Sequence, residues 1–463
     1  MRTRSLCLLL PLMLAGCAVG PKYQRPAVAI PARFPGAAAS STSLADKNWA
    51  GLFQDDTLNL LIAEALEKNL DLGIASQRVL EARELYRITG ATEYPYLGAQ
   101  GQFAASRSSS VGAQTLIRPG ADTGVSYTQA GAGLSWELDF WGRVRRLRES
   151  ARAQYLATEE ARNAVVVSLV SDVAGGYFSL RERDLELEIA RGTRDIAENN
   201  LKLVKLRHQQ GAASGLEERQ AEQLLYTAAA QIARVEREIA QAENALNLLL
   251  GRAPGPITRG KAVDDFGLPA QVPPGLPSAL LERRPDIRRA EQALIAANAQ
   301  IGVAKAYYFP QISLTGFLGG QSRALTGLLT APARLASVTP AAVLPIFDAG
   351  RVRAGVRYSE AQKTEMVIAY QRAVFNALRE VSDALVRYDR TREQRAQQDR
   401  LVNAVQESVR LSKLRYQGGM DSYLQVLDAE RNLFSGRLTL AQLRLQELLS
   451  YIDLYRALGG GWQ

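Results

Sequence analysis

The sequence predicts a mainly α-helical chain with a small membrane β part. Long helices would build a coiled-coil barrel, and four β-strands per protomer would close a barrel of roughly twelve strands as a trimer. Three observations lead there. The 463-residue chain is written twice, at an offset of about 208 residues. Each copy holds a stretch of about 65 residues without internal proline, roughly 100 Å of helix at the standard rise. Ahead of each stretch lie two short segments of rough apolar alternation, rich in Gly, Ser and aromatic residues, as membrane strands are.

At the N-terminus, Arg2 and Arg4 precede an apolar run over residues 6–14 that is too short to cross a bilayer as a mature helix. Residues 1–16 therefore read as a signal peptide. The run ends in Leu14-Ala15-Gly16-Cys17, which resembles a bacterial lipobox. Cys17 would open the mature chain and carry diacylglycerol and an N-acyl chain; no other cofactor is expected. The alternative is a chance cysteine in an ordinary leader. Ala18 gives no sign of the Asp that retains lipoproteins at the inner membrane.

Cys7 would leave with the leader and Cys17 would be acylated, so no disulfide is expected. Loss of Arg2 and Arg4 lowers the formal charge from +9 to +7, spread along the chain, which favours anionic lipid over nucleic acid as a partner. Residues 17–48, with Pro21, Pro26, Pro31 and Pro35 and then an Ala-Ser-Thr run, read as a lipidated, extended tether.

The first repeat is assigned to residues 49–251 and the second to 276–457. A Pro- and Gly-rich linker in the equatorial region (252–275) separates them, and a short tail (458–463) follows. Arg207-His208-Gln209-Gln210-Gly211 aligns with Arg415-Tyr416-Gln417-Gly418-Gly419, Ala221-Glu222 with Ala429-Glu430, and Gly142-Arg143-Val144 with Gly350-Arg351-Val352. Each repeat opens with a helix, over residues 58–93 and 277–308, stopped by Pro95 and Pro310. Strands are expected at 97–108 and 125–136, then at 311–323 and 335–347. Long helices follow over 144–209 and 352–417. A Gly-containing turn then leads into a return helix, at 216–250 and 422–457.

Leu225, Ile232, Ile239 and Leu246 are spaced by heptads, with Ala221, Ala228 and Val235 beside them. Leu427, Phe434, Ala441, Leu448 and Tyr455 repeat the pattern. Such stripes are coiled-coil seams. Four membrane strands have two open edges, whose unpaired backbone groups cost several kcal/mol each in lipid, so the chain must oligomerise.

Several stretches together resemble the TolC/OprM family, in its lipoprotein branch. They are the lipobox, Ala18-Val19-Gly20-Pro21-Lys22-Tyr23, Phe140-Trp141-Gly142-Arg143, Phe347-Asp348-Ala349-Gly350-Arg351 and Gly419-Met420-Asp421-Ser422-Tyr423-Leu424-Gln425-Val426-Leu427-Asp428-Ala429. The resemblance covers nearly the whole mature chain. It implies a homotrimeric outer-membrane exit duct of a tripartite efflux system, extending into the periplasm. Its partners would be a periplasmic adaptor and an inner-membrane pump of the resistance-nodulation-division class, and its cargo drugs or other small toxic compounds. A duct for type I protein secretion, and a lipid-anchored periplasmic scaffold, remain open at this point.

The resemblance also implies site residues. Leu424 falls in an apolar ring of the periplasmic gate, Asp428 in an acidic ring, and Arg431 at a basic partner; their i, i+4, i+7 spacing places them on one helix face. Glu217 and Tyr416 match a link between neighbouring helices, and Gly211, Ala212, Gly419 and Met420 are the adaptor-contacting tips. A plainer account of Asp428 is an acid near a helix N-terminus, paired with Arg431. Asp421 and Ser422 read as helix caps.

Enzyme chemistry finds no footing. His208 is the single histidine and reads as a solvated tip residue, no Cys/His cluster could hold zinc, and no nucleophile elbow, phosphate loop or dinucleotide fingerprint occurs. Trp136 and Trp141 suit either an interfacial belt or packing.

Overall fold

The computed structural model describes residues 18–35, 42–107, 109, 124–269 and 271–462; the leader and Cys17 lie outside them. In chain order the elements are α1 (Ala50–Phe53), α2 (Asp56–Lys68), α3 (Leu70–Ala91), β1 (Tyr96–Arg107), β2 (Gly124–Leu138), α4 (Arg143–Gln209) and α5 (Gly215–Leu249). Then come α6 (Leu280–Arg283), α7 (Pro285–Ala306), β3 (Gln311–Ser322), β4 (Arg334–Val343), α8 (Arg351–Gln417) and α9 (Tyr423–Ala457). The mainly helical fold with four strands is the one expected. Duplication is visible in the backbone itself: α4 and α8 have 67 residues each, α5 and α9 35 each. Gly142, Gly211 and Gly251 hold positive φ, as do Gly350, Gly419 and Gly459 at the same offset of about 208 residues.

One expectation changes. The opening helix of each repeat is two helices, not one. Asn69 adopts an extended backbone (φ −61°, ψ 128°) between α2 and α3. Its Oδ1 accepts from Leu72 N at 2.9 Å, capping α3, while its Nδ2 donates to Leu249 O at 2.8 Å. In the second repeat Pro285 starts α7, and Arg284 before it is extended (φ −83°, ψ 119°), as a residue preceding proline prefers.

Contacts divide the chain into two units. The first comprises residues 1–26, 79–158 and 290–370. Its sheet runs β1-β2-β3-β4, all antiparallel, with Tyr96 opposite Ser135, Thr128 opposite Ser322 and Gln311 opposite Val343. Leu97, Phe103, Leu318 and Val338 stand exposed on it. At its base, Trp141 stacks on Phe309 (4.7 Å between centroids) and donates Nε1–H to Pro310 O at 2.8 Å; Trp136 donates to Glu93 O at 3.1 Å. Both indoles are thus satisfied by packing partners. Asp139 starts α4 by accepting from Val144 N and Arg145 N, each at 3.0 Å. Asp348 does the same for α8, and the backbone N–H groups of Val352 and Gly350 hold its carboxyl below the usual range.

The segment after Cys17 is extended, as a tether would be, but it is a docked strap. Val19 N donates to Trp141 O at 3.0 Å, and Arg146 Nε donates to Val19 O at 3.2 Å. Asn298 Nδ2 donates to Pro21 O at 3.0 Å. Glu291 accepts from Tyr23 Oη at 2.9 Å and from Arg25 Nε and Nη2 at 2.7 and 2.8 Å. The backbone passes so close to α7 that a Cβ on Gly302 would lie 2.7 Å from Val19 O. Gly302→Val should therefore undock the strap. The expected sign is cleavage by added protease near residues 18–26 in folded protein, where wild type resists; equal resistance would show that the hydrogen bonds suffice without the close approach.

The second unit comprises residues 27–78, 159–289 and 371–463. Here the heptad positions are seams: Ala221, Ala228, Ile232, Val235 and Leu246 of α5 are buried, as are Leu427, Phe434, Ala441, Leu448 and Tyr455 of α9. Its polar hub is Asp55, 2% exposed. Asp55 caps α2 through Thr57 N (2.8 Å) and Leu58 N (3.2 Å), and accepts from Tyr177 Oη at 3.0 Å and Lys261 N at 3.1 Å. Tyr177 is fully buried, accepts from Gly260 N at 2.8 Å, and has its phenol pushed up to about 12, chiefly by burial. Further along α4, Glu182 and Glu186 lie one turn apart, each 3% exposed.

Candidate functional site

Two helical hairpins, α4–α5 and α8–α9, end in tight turns. In each, a glycine in the left-handed region lets the chain reverse. Ala212 N donates to Arg207 O at 2.7 Å in the first turn, and Met420 N to Arg415 O at 2.9 Å in the second. Gly211, Ala212, Gly419 and Met420 are all exposed. His208 is a tip residue, its Nδ1 2.9 Å from Ala213 O. Ser214 caps α5 by accepting from Glu217 N at 3.3 Å. At the second turn Ser422 occupies the N-cap position of α9 with extended backbone but makes no side-chain cap bond, and Asp421 is drawn away to Arg415 at 2.5 Å. That guanidinium holds the Asp421 carboxyl below its ordinary range.

Beyond the second turn, α9 has two faces. Tyr423, Val426 and Leu427 are buried against Ala197, Leu201 and Val204 of α4 and Ala221 and Leu224 of α5. Leu424, Asp428 and Arg431 lie on a flank of the helix about a right angle away from that seam and are exposed. The spacing thus places all three together, as expected. Asp428 accepts from Asn432 Nδ2 at 3.2 Å, and among the described residues no ion pair joins it to Arg431. Arg431 instead borders an open groove of about 630 Å³ with Tyr226, Thr227 and Arg234 of α5. The plainer account of Asp428 as half of a local pair therefore has no support.

The link between hairpins is present. Tyr416 Oη donates to Glu217 Oε2 at 3.3 Å, with the Arg207 guanidinium 5.0 Å above its ring and Tyr423 edge-on at 5.4 Å. Burial, and then the Glu217 charge, raise the Tyr416 phenol.

Sequence reasoning missed a buried acid on the same helix. Glu430 is 6% exposed and accepts from Lys413 Nζ at 2.7 Å and Asn200 Nδ2 at 2.8 Å, so it ties α9 to both α8 and α4. A signal existed: Glu430 falls between Leu427 and Phe434, inside a stripe that the heptads bury. No group of three His, Cys, Asp or Glu among the described residues could hold a metal ion.

A family model described as outer membrane efflux protein matches residues 61–252 and 276–460. The cation efflux system protein CusC of Escherichia coli O6:H1 (strain CFT073) is 38% identical over 466 residues, covering 99% of this chain and 99% of CusC. The solvent efflux pump outer membrane protein SrpC of Pseudomonas putida is 39% identical over 471 residues, covering 100% of this chain and 99% of SrpC. Among solved structures, the open state of the Neisseria gonorrhoeae MtrE outer membrane channel matches with a TM-score of 0.88 at 32% identity, covering 96% of this chain and 99% of that one. The chain belongs to the outer membrane efflux protein family.

Proposed function

We propose that three copies of this chain form the exit duct of a tripartite efflux system, with Leu424, Asp428 and Arg431 lining its periplasmic gate. The exposed flank of α9 carries the reading: an apolar, an acidic and a basic side chain lie exposed there beside a tightly buried seam. Symmetry would repeat Asp428 around the axis, giving a ring of carboxylates that repel one another and attract cations. The unpaired outer edges of β1 and β4 support assembly, since membrane strands need closed pairing.

A periplasmic adaptor would seat on the tips at Gly211, Ala212, Gly419 and Met420, and a pump of the resistance-nodulation-division class would feed the duct. Cys17, lipidated, adds a second attachment beside the strands. The cargo is drugs or other small toxic compounds, chosen by the pump. CusC, named for cations, and SrpC, named for solvents, resemble the chain almost equally, which is how ducts with little selectivity of their own would behave.

Purified protein in planar bilayers should conduct as a trimer, and Asp428→Ala should raise that conductance severalfold and admit large antibiotics in a reporter strain. Unchanged conductance and uptake would remove Asp428 from the gate; no conductance from any preparation would remove the duct.

A further inference from the structure

The charged residues of the four strands are Arg107, Glu137 and Arg334. Register sorts the strand residues onto two faces. Leu97 lies opposite Leu134 and Leu318 opposite Ala336 on an apolar face; Gln102 opposite Gln129 and Thr315 opposite Thr339 belong to a polar one. Alternation puts Arg107 on the face of Leu97 and Phe103, and Arg334 on that of Ala336 and Val338, so both arginines belong to the apolar face. Glu137 falls on the polar face and is held by Arg143 at 2.6 Å.

Both arginines are exposed, and each is the last paired residue of its strand at the end away from the helices, Arg107 opposite Gly124 and Arg334 opposite Gly320. Arg323, just past β3, adds a third exposed guanidinium at that end. At about 3.3 Å per residue and a tilt of roughly 40°, the stretch from Leu97 to Arg107 climbs about 25 Å, the height of the apolar band on an outer-membrane barrel. The arginines therefore stand where that band meets the outer headgroups.

The edges of the sheet are β1 and β4, so a closed ring of copies sets β1 of one beside β4 of the next. Arg107 then comes together with a neighbour's Arg334 on the lipid side, and like charges across a strand pair repel. Among the described strand residues, no acid on that face can neutralise them. A phosphate can, because guanidinium groups bind it through paired hydrogen bonds.

We propose that each seam between copies binds the phosphate headgroup of an outer-leaflet glycolipid, clasped by Arg107 from one copy and Arg334 from the next. This rests on the barrel reading above. The headgroup bridges two copies and so fastens the ring.

The test places full-length trimers in phosphatidylcholine vesicles doped with bisphosphorylated lipid A. Lipid retained per trimer is counted by native mass spectrometry, and conductance is measured on the same preparations. Wild type should keep one lipid A per seam, and Arg107→Gln combined with Arg334→Gln should lower retention roughly tenfold with conductance unchanged. Arg334→Glu, which sets a carboxylate beside Arg107, should lose the lipid as fully yet keep a heat-stable trimer without it. Lipid A stripped of its phosphates should be retained no better than phosphatidylcholine, and this arm decides the matter if the variants do not assemble. Undiminished retention by the double variant, or equal retention of phosphatidylglycerol in its place, would overturn the proposal and leave the duct intact. Wild type that neither conducts nor keeps lipid A would sink the barrel reading with it.

Discussion

Replacing Asp55 with Ala should destabilise the protein by on the order of 4 kcal/mol. Four donors converge on this carboxylate: two N-terminal amides of α2, the Tyr177 phenol and the Lys261 amide. Leu58 and Tyr177 are fully buried, so two of those donors would be left without water or protein, at about 1–3 kcal/mol each, and the lost cap adds about 1 kcal/mol. Asp55→Asn keeps an oxygen for the cap and should lose roughly half as much. The measurement is thermal unfolding by circular dichroism, with the yield of assembled protein in outer-membrane fractions as a second readout. An Ala variant that melts with the wild type would mean that Tyr177 and its ring contacts to Phe178 carry the junction without the hub.

Raising the pH from about 5 to 9 should cost the wild type a few kcal/mol of stability, and Glu182→Gln should abolish most of that slope. Glu182 and Glu186 are buried where α4 meets α5 and α9. Arg234 of α5 touches Glu186 at 3.3 Å, and Gln442 of α9 donates to it at 3.2 Å; Arg183 stands 3.6 Å from Glu182, and Glu238 of α5 adds further negative charge. Burial first, then the Glu186 charge, push the Glu182 carboxyl up to about 8 from an ordinary 4.5. The folded chain therefore holds this proton more tightly than the unfolded one. Its stabilising contribution is complete below pH 4.5, declines as pH rises, and is gone above about 8. Glutamine mimics the protonated form at every pH. Melting temperatures that fall in parallel for both proteins would place the sensitivity elsewhere.

Much of this was legible because the local signals were strong. Pro95 and Pro310 stop the early helices, and the glycines at 211 and 419 turn the hairpins where they were expected. The heptads around Ile232 and Phe434 mark seams that are in fact buried. That Leu424, Asp428 and Arg431 share one exposed face could be read from spacing alone, since i, i+4 and i+7 align whatever surrounds the helix. The features that escaped depend on partners far away in sequence. Asn69 breaks the first helix because Leu249 O waits for its amide. Glu430 looked like one more charged residue until Asn200 and Lys413 met it. The docking of the strap escaped for a similar reason: four prolines announce an extended chain, but docking depends on Gly302, Asn298 and Glu291 in α7, and nothing local to residues 18–26 points there.

The doubled backbone has a consequence for how this chain could change over time. At the matched positions 142 and 350, 211 and 419, and 251 and 459, where φ is positive, both halves still spell glycine, which that geometry favours. At Asn200 and Ser408, on the other hand, the halves have parted company, and nothing in the helix opposes it. Duplication supplied two hairpins on one plan, so side chains at equivalent places could diverge while the turns that shape both stayed the same. A hairpin present in a single copy would have had no such freedom.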